Sequence, residues 1–306
     1  MTITKEITQL NVDLSCDMKC EDCEKFFECE RPEKQATYRS GRMNVAKERM
    51  SKIKKKLVVV GGKGGVGKSL IAANLAMGLS MRGRTVSILD QNFDGPVIHK
   101  MLGMEGMRLG MDDEGIIPAV GPMGIQVVST GLLLEENEVL TWFHDLRRNA
   151  TEEFLCHTNY GERDYLITDI PAGTSSDTFN ILYYIPQADG VVVVTIPTEV
   201  SQGVARKAII ACQKANLPIL GVIENMSGFY CTHCGQRSDP YTAGGGQRLA
   251  ELVDVPFLGT IPLERDISVS TQVGDPFVHR SPALVASQNM NKIIDKIEEM
   301  IGWGKV

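Results

Sequence analysis

The stretch "LVVVGGKGGVGKSL", Leu57 to Leu70, constrains this chain more than any other. An unbroken β-branched run ends in glycines, and a Lys-Ser pair opens a segment of helical periodicity. The pattern G-x4-G-K-[S/T] is met from Gly62 to Ser69, between a strand and a helix as the motif requires. Glycines let the backbone curl so that its N–H groups face phosphate oxygens, and the helix start adds the positive end of its dipole. The candidate nucleotide-binding residues are Gly62, Lys63, Gly64, Gly65, Val66, Gly67, Lys68, Ser69 and Leu70. Lys68 is expected to reach the β- and γ-phosphates of ATP, and Ser69 to ligate Mg2+.

Beyond the loop, short apolar runs alternate with helical stretches. The runs lie at 57–61, 85–90, 125–130, 165–169, 190–197, 217–225 and 255–262, and the helical segments include 69–82, 138–157, 199–214 and 244–253. Continuously apolar strands separated by helices predict an α/β fold, a doubly wound and mostly parallel sheet covered on both faces. Three zones follow: a cysteine-rich metal-binding extension over 1–34, a basic linker over 35–56, and a P-loop ATPase domain over 57–306. The linker ends "KERMSKIKKK" and has no interleaved aromatic residues for base stacking, so it reads as a solvated helix rather than a nucleic-acid patch. The net charge of −6 agrees with that reading. No apolar run reaches membrane-spanning length, and the N-terminus lacks the apolar core of a signal peptide. A cytoplasmic protein with no membrane and no nucleic-acid partner is expected.

Two further strand ends carry chemistry. "YLITD" finishes at Asp169, where open α/β sheets bind ligands, so Asp169 is a candidate Mg2+ ligand, directly or through water. "LDQNFDGP" resembles the D-x-D-x-x-G-P of the deviant Walker A ATPases, which implies Asp90 near the metal and places Asn92 where their water-orienting aspartate lies. An amide can hydrogen-bond water but cannot take its proton, which predicts slow hydrolysis.

Eight cysteines are many for a chain with no export signal, and close-spaced thiols in a reducing compartment bind metal more often than they form disulfides. Cys16, Cys20, Cys23 and Cys29 form one cluster; Cys231 and Cys234 form a second, as C-x-x-C in a glycine-flanked loop. Cys156 and Cys212 stand alone in helical patterns and read as core residues. The spacing of Cys16, Cys20 and Cys23 is one that radical enzymes use, but a nucleotide-binding sheet follows it here, not a barrel. For the N-terminal set a [4Fe–4S] cluster and zinc both remain open. Two thiols cannot fill tetrahedral coordination, so Cys231 and Cys234 point to metal shared between two chains, with a redox dithiol as the competing reading.

Lys63, early in the loop, resembles the deviant Walker A ATPases, which include MinD and ParA proteins and the nitrogenase iron protein. In that group this lysine reaches the partner's nucleotide, which implies a homodimer. Asn225 lies in "IENMS", followed by C-x-x-C-G, a glycine run and "PFLGTIP". This order resembles the Mrp-like (ApbC) iron–sulfur carrier ATPases over about residues 57–281. The resemblance implies an adenine contact for Asn225 and a [4Fe–4S] cluster bridging Cys231 and Cys234 of two chains. It also implies delivery of that cluster to apo iron–sulfur client proteins. Cys20, Cys23 and Cys29 resemble the N-terminal ferredoxin-like site of the longer relatives. The sequence departs from the family in three places. Asn92 replaces an aspartate, Ala172 and a displaced Asp177 alter the stretch after Asp169, and "LTWFHD" keeps only Trp142 of its motif. An ATP-gated electron donor or dedicated maturation factor is the alternative function. A MinD-like positioning ATPase is a third, because Ile293, Ile294, Ile297, Met300, Ile301 and Trp303 fall at helical spacing near the C-terminus. The polar face there is balanced to slightly acidic, though, which favours packing onto the domain over a membrane surface.

Overall fold

The computed structural model describes residues 19, 23, 28–133, 144–173, 181, 182, 185, 187–230, 233–241 and 244–303. Its centre is a nine-stranded sheet. Strand β1 (Ile53–Gly61) lies between β7 (Arg163–Asp169) and β8 (Gly190–Thr195), with all three parallel. β2 (Val86–Asp90) and β6 (Gln126–Ser129) extend the sheet beyond β7, and β9 (Ile219–Tyr230) and β11 (Phe257–Leu263) extend it beyond β8. Among the described residues, only two short strands, β5 (Ala119–Val120) and β10 (Arg237–Ser238), run antiparallel to their neighbours in this sheet. β3 (Gly110–Asp112) and β4 (Gly115–Ile117) form a separate hairpin.

Each face of the sheet carries its own core. Helices α2 (Lys68–Met81) and α9 (Val285–Met300) cover one face, where Leu57, Val59, Ile88, Ile167, Val192 and Ile223 point. α1 (Lys34–Arg49), α4 (His144–Cys156), α5 (Glu199–Lys214) and α6 (Gly245–Leu252) cover the other, over Val58, Val60, Leu166, Val191 and Val193. The strict alternation within β1 and β8 explains why these strands read as continuous apolar runs: both faces are buried. α3 (Ile98–Met101), α7 (Arg265–Gln272) and α8 (Phe277–Arg280) are short connectors.

One expectation needs revision. The segment 35–56 is not a linker. α1 packs on α4 with Arg42, Ala46 and Met50 buried, and β1 begins at Ile53, so a boundary at Leu57 cuts through a strand. The basic run there is neutralised by carboxylates from distant segments. Lys54 meets Asp164 at 2.9 Å, Lys55 meets Asp189 at 3.2 Å, and the Lys56 amide donates to Asp189 at 2.8 Å. The apolar face of α9 is likewise spent inside the protein. Ile293, Ile294 and Ile297 are at most 1% exposed, and each such burial is worth about 1.5–3 kcal/mol. Laying α9 on a membrane would forfeit that stabilisation. No helix among the described residues is long and apolar enough to cross a membrane. Cys156 and Cys212 are buried, as core residues should be.

Candidate functional site: a phosphate loop over two buried carboxylates

The loop begins where β1 ends and closes where α2 begins. Gly62 lies against the backbone of α5, where a Cβ would come within 2.3 Å of the Ala205 nitrogen, so only glycine fits. Gly67, the residue preceding α2, has φ of 94°, a left-handed conformation that glycine adopts without strain. Asn225 on β9 sits beneath it and is 2% exposed. Its amide donates to the Val66 carbonyl at 2.9 Å, which braces the loop. Lys63, Gly64 and Gly65 are exposed at the rim.

Sheet register then assembles the floor. Asp169 at the end of β7 pairs with Val59 on one side and Asp90 on the other, which sets two carboxylates side by side under the loop. Both are at most 1% exposed. The Ser69 hydroxyl donates to Asp169 Oδ2, while Asp169 Oδ1 is buried without a hydrogen-bond partner. Asp90 accepts from the Asn92 amide N–H at 3.0 Å, the Ser129 hydroxyl at 3.1 Å and the Ile98 N–H at 3.4 Å. Burial, then the neighbouring Asp169 charge, pushes Asp90 up to about 7. Burial raises Asp169 to about 6, against the opposing pull of the Ser69 hydrogen bond and the Lys68 charge. Burial in turn lowers Lys68, with Asp169 pulling the other way. A hard cation with oxygen ligands fits here, since it would occupy the orphaned Asp169 oxygen and compensate the buried charge.

Asn92 is turned from the role its position suggests, because its side-chain amide donates to the Gly95 carbonyl at 2.9 Å. Asp94 forms an ion pair with Arg147 of α4 at 2.5 Å. Gln91, which sequence reasoning passed over, is 2% exposed; its backbone N–H donates to the Asp169 carbonyl, and its side-chain oxygen accepts from Thr151 of α4 at 2.9 Å. Only its place between Asp90 and Asn92 marked it. Glu224 was also missed: fully buried on β9, it accepts from the Ser227 hydroxyl at 2.6 Å and from the Gly246 N–H at the start of α6.

The thiols are less fully placed. Cys234 is exposed in the loop after β9, and Cys231, directly after Tyr230, lies outside the described residues. Cys16 and Cys20 also fall outside them, as do Trp142 and Asp177. Cys23 and Cys29 are half-buried, and the Lys34 ammonium donates to the Cys29 carbonyl at 2.5 Å. Among the described residues, no group of three or more cysteine, histidine or acidic side chains is arranged to hold a metal ion.

The family model for NUBPL iron-transfer P-loop NTPases, within the ParA group, matches residues 52–298. The chain belongs to this family. It is 41% identical over 254 residues to an iron–sulfur cluster carrier protein of Saccharolobus solfataricus, covering 83% of this chain and 86% of that one. A second carrier protein, from Methanocaldococcus jannaschii, is 38% identical over 287 residues, covering 94% of this chain and 97% of its own. Among solved structures, a nucleotide-binding protein from Archaeoglobus fulgidus in complex with ADP superposes with a TM-score of 0.68. It is 33% identical and covers 76% of this chain and 91% of that chain. The MinD protein of Pyrococcus horikoshii with Mg-ADP, at 21% identity and a TM-score of 0.62, covers 83% of this chain and all of its own, and shares the fold. The family assignment and these likenesses agree with the P-loop fold and the resemblance read from the sequence.

Proposed function

We propose that the protein is an ATP-dependent iron–sulfur cluster carrier. Two chains hold a [4Fe–4S] cluster between their Cys231 and Cys234 thiols and deliver it to apo-protein clients. The observation that carries this reading is the course of β9: the strand that braces the phosphate loop at Asn225 leads directly into the C-x-x-C loop. In this reading β9 is the element that links the phosphate loop to the C-x-x-C loop, where Cys234 is exposed.

Lys68 is placed to neutralise phosphate charge, and Ser69 and Asp169 would hold Mg2+, which would supply charge compensation for the transferring phosphoryl group. Exposed Lys63 is available to a partner chain's nucleotide, as the cation of an arginine finger would be. Hydrolysis is slow because Asn92 cannot accept a proton and its amide is engaged with Gly95. Cys16, Cys20, Cys23 and Cys29 hold a second metal group, a [4Fe–4S] cluster rather than zinc. The deciding experiment is anaerobic purification with iron, sulfide and zinc counts and EPR. It should compare the wild type, the Cys231→Ala/Cys234→Ala double variant and a variant lacking the four N-terminal thiols. Each set of replacements is expected to remove one cluster, and iron retained through both would overturn the assignment.

A further inference from the structure

Between the phosphate site and the N-terminal thiols lies an unbroken chain of polar contacts that neither site requires. The segment Gln91–Asp94 is held at its pocket end by Asp90, which accepts from the Asn92 N–H, and by the Asp169 carbonyl, which accepts from the Gln91 N–H at 2.9 Å. On its other side α4 grips the same segment twice, through Thr151 to Gln91 and through Arg147 to Asp94. The far half of α4 is fastened to α1. Arg42, 6% exposed, donates to Glu153 at 2.8 Å and to His157 Nε2 at 2.8 Å, and lies 3.6 Å from Glu152. The Tyr38 hydroxyl donates to Glu152 at 3.2 Å, and the Cys156 thiol to the Arg42 carbonyl at 3.2 Å. At the start of α1, Lys34 holds the Cys29 carbonyl.

A guanidinium and a carboxylate buried together between two helices do little for stability beyond what apolar packing gives, but they fix one relative placement of those helices. That is what a transmitting element needs. A ligand at Asp90 and Asp169 acts on residues hydrogen-bonded to the backbone of Gln91 and Asn92. α4 cannot absorb a displacement of that segment alone, because Arg42 ties it to α1. We propose that α4 and α1 form a lever joining the segment Gln91–Asp94 to Cys29. Through it, nucleotide state alters how Cys23 and Cys29 are presented to metal, and metal there alters nucleotide affinity. The two effects are equal, because a coupling free energy between two binding sites is reciprocal. The inference rests on reading Cys23 and Cys29 as metal ligands, but it needs nothing of Cys231 and Cys234.

The test uses the full chain, reduced and stripped of metal, with nucleotide binding verified by a fluorescent ADP analogue. Alkylation of Cys23 and Cys29 by iodoacetamide is followed by mass spectrometry with Mg-ADP and with a non-hydrolysable ATP analogue. Exposed Cys234 serves as the internal reference. Cys29 is expected to differ between the two nucleotide states by about fivefold in the wild type. In Thr151→Val, which removes the grip on Gln91 at nearly constant volume, the difference should collapse while nucleotide still binds. Tyr38→Phe, a milder change at the α1–α4 junction, should reduce it partially and serves if Thr151→Val folds poorly. Equal Cys29 rates in both nucleotide states of the wild type would overturn the lever, as would the full difference surviving in both variants. Neither result touches the carrier reading, which is decided by iron at Cys231 and Cys234.

Discussion

The phosphate loop and the C-x-x-C loop lie near one another along β9 and are built on opposite terms. Around the phosphate loop the backbone is pinned by glycine contacts, and two carboxylates are buried side by side, held by the Ser69 and Ser129 hydroxyls. At the thiol loop Cys234 is exposed, and the neighbouring Arg237–Asp239 pair is open to solvent on both sides. A nucleotide site must present preorganised dipoles at fixed distances, so it is made rigid at the expense of burying charge. Under the proposed carrier role the thiol loop must be reachable by another protein, and exposed Cys234 meets that requirement. The difference locates stability at one loop and exchange at the other.

Lys68→Ala gives the largest separation of the two. ATP hydrolysis should fall about 100-fold or more, through the loss of the cation on the β- and γ-phosphates. Iron and sulfide per chain after anaerobic reconstitution should stay at the wild-type level. Iron lost in proportion to hydrolysis would mean that the two loops are not separable. The pH response is next in size. Because Asp169 is raised to about 6 and a metal needs its carboxylate form, Mg-ADP binding should weaken as pH falls through 6. By calorimetry the loss is expected to be about tenfold between pH 7 and pH 5. The ligand-free protein should respond in the opposite sense. Asp90 and Asp169 keep protons that the unfolded chain has already lost, so their contribution to stability declines from about pH 4 to pH 7. A flat binding profile would remove Asp169 from the metal site. The smallest effect belongs to the thiol loop: Arg237→Ala breaks only an exposed pair and should change unfolding free energy by about 0–1 kcal/mol in a denaturant titration. A larger change would show that this loop carries structural weight.

Much of the nucleotide site is legible from residue type and spacing, because phosphate recognition is local: a strand, a glycine turn and a helix start, all within Leu57–Leu70. Asp169 is legible for a related reason, since a lone carboxylate closing an apolar strand has few other uses. Gln91 and Thr151 are not, because the hydroxyl that engages Gln91 comes from a helix sixty residues further on. The run "KIKKK" misleads for the same reason. Its charges are answered by Asp164 and Asp189, and its alternation is that of a buried strand with aliphatic lysine stems. β9 also runs five residues past the predicted end at Asn225, through Met226 and Gly228 at positive φ, where local propensity stops signalling strand.

The sequence by itself determined the chemistry available: a cation and a hydroxyl for phosphate and metal, an amide where a carboxylate is usual, and thiols in two groups. Hydrophobic periodicity determined that these would hang from a parallel sheet. Only the tertiary structure decided that Asp90 and Asp169 share one burial site, that Asn225 braces the loop from below, and that α1 is clamped to α4 through Arg42. Each of these depends on strand register or helix placement, which are settled by packing between segments far apart in the chain and leave no mark on any one of them.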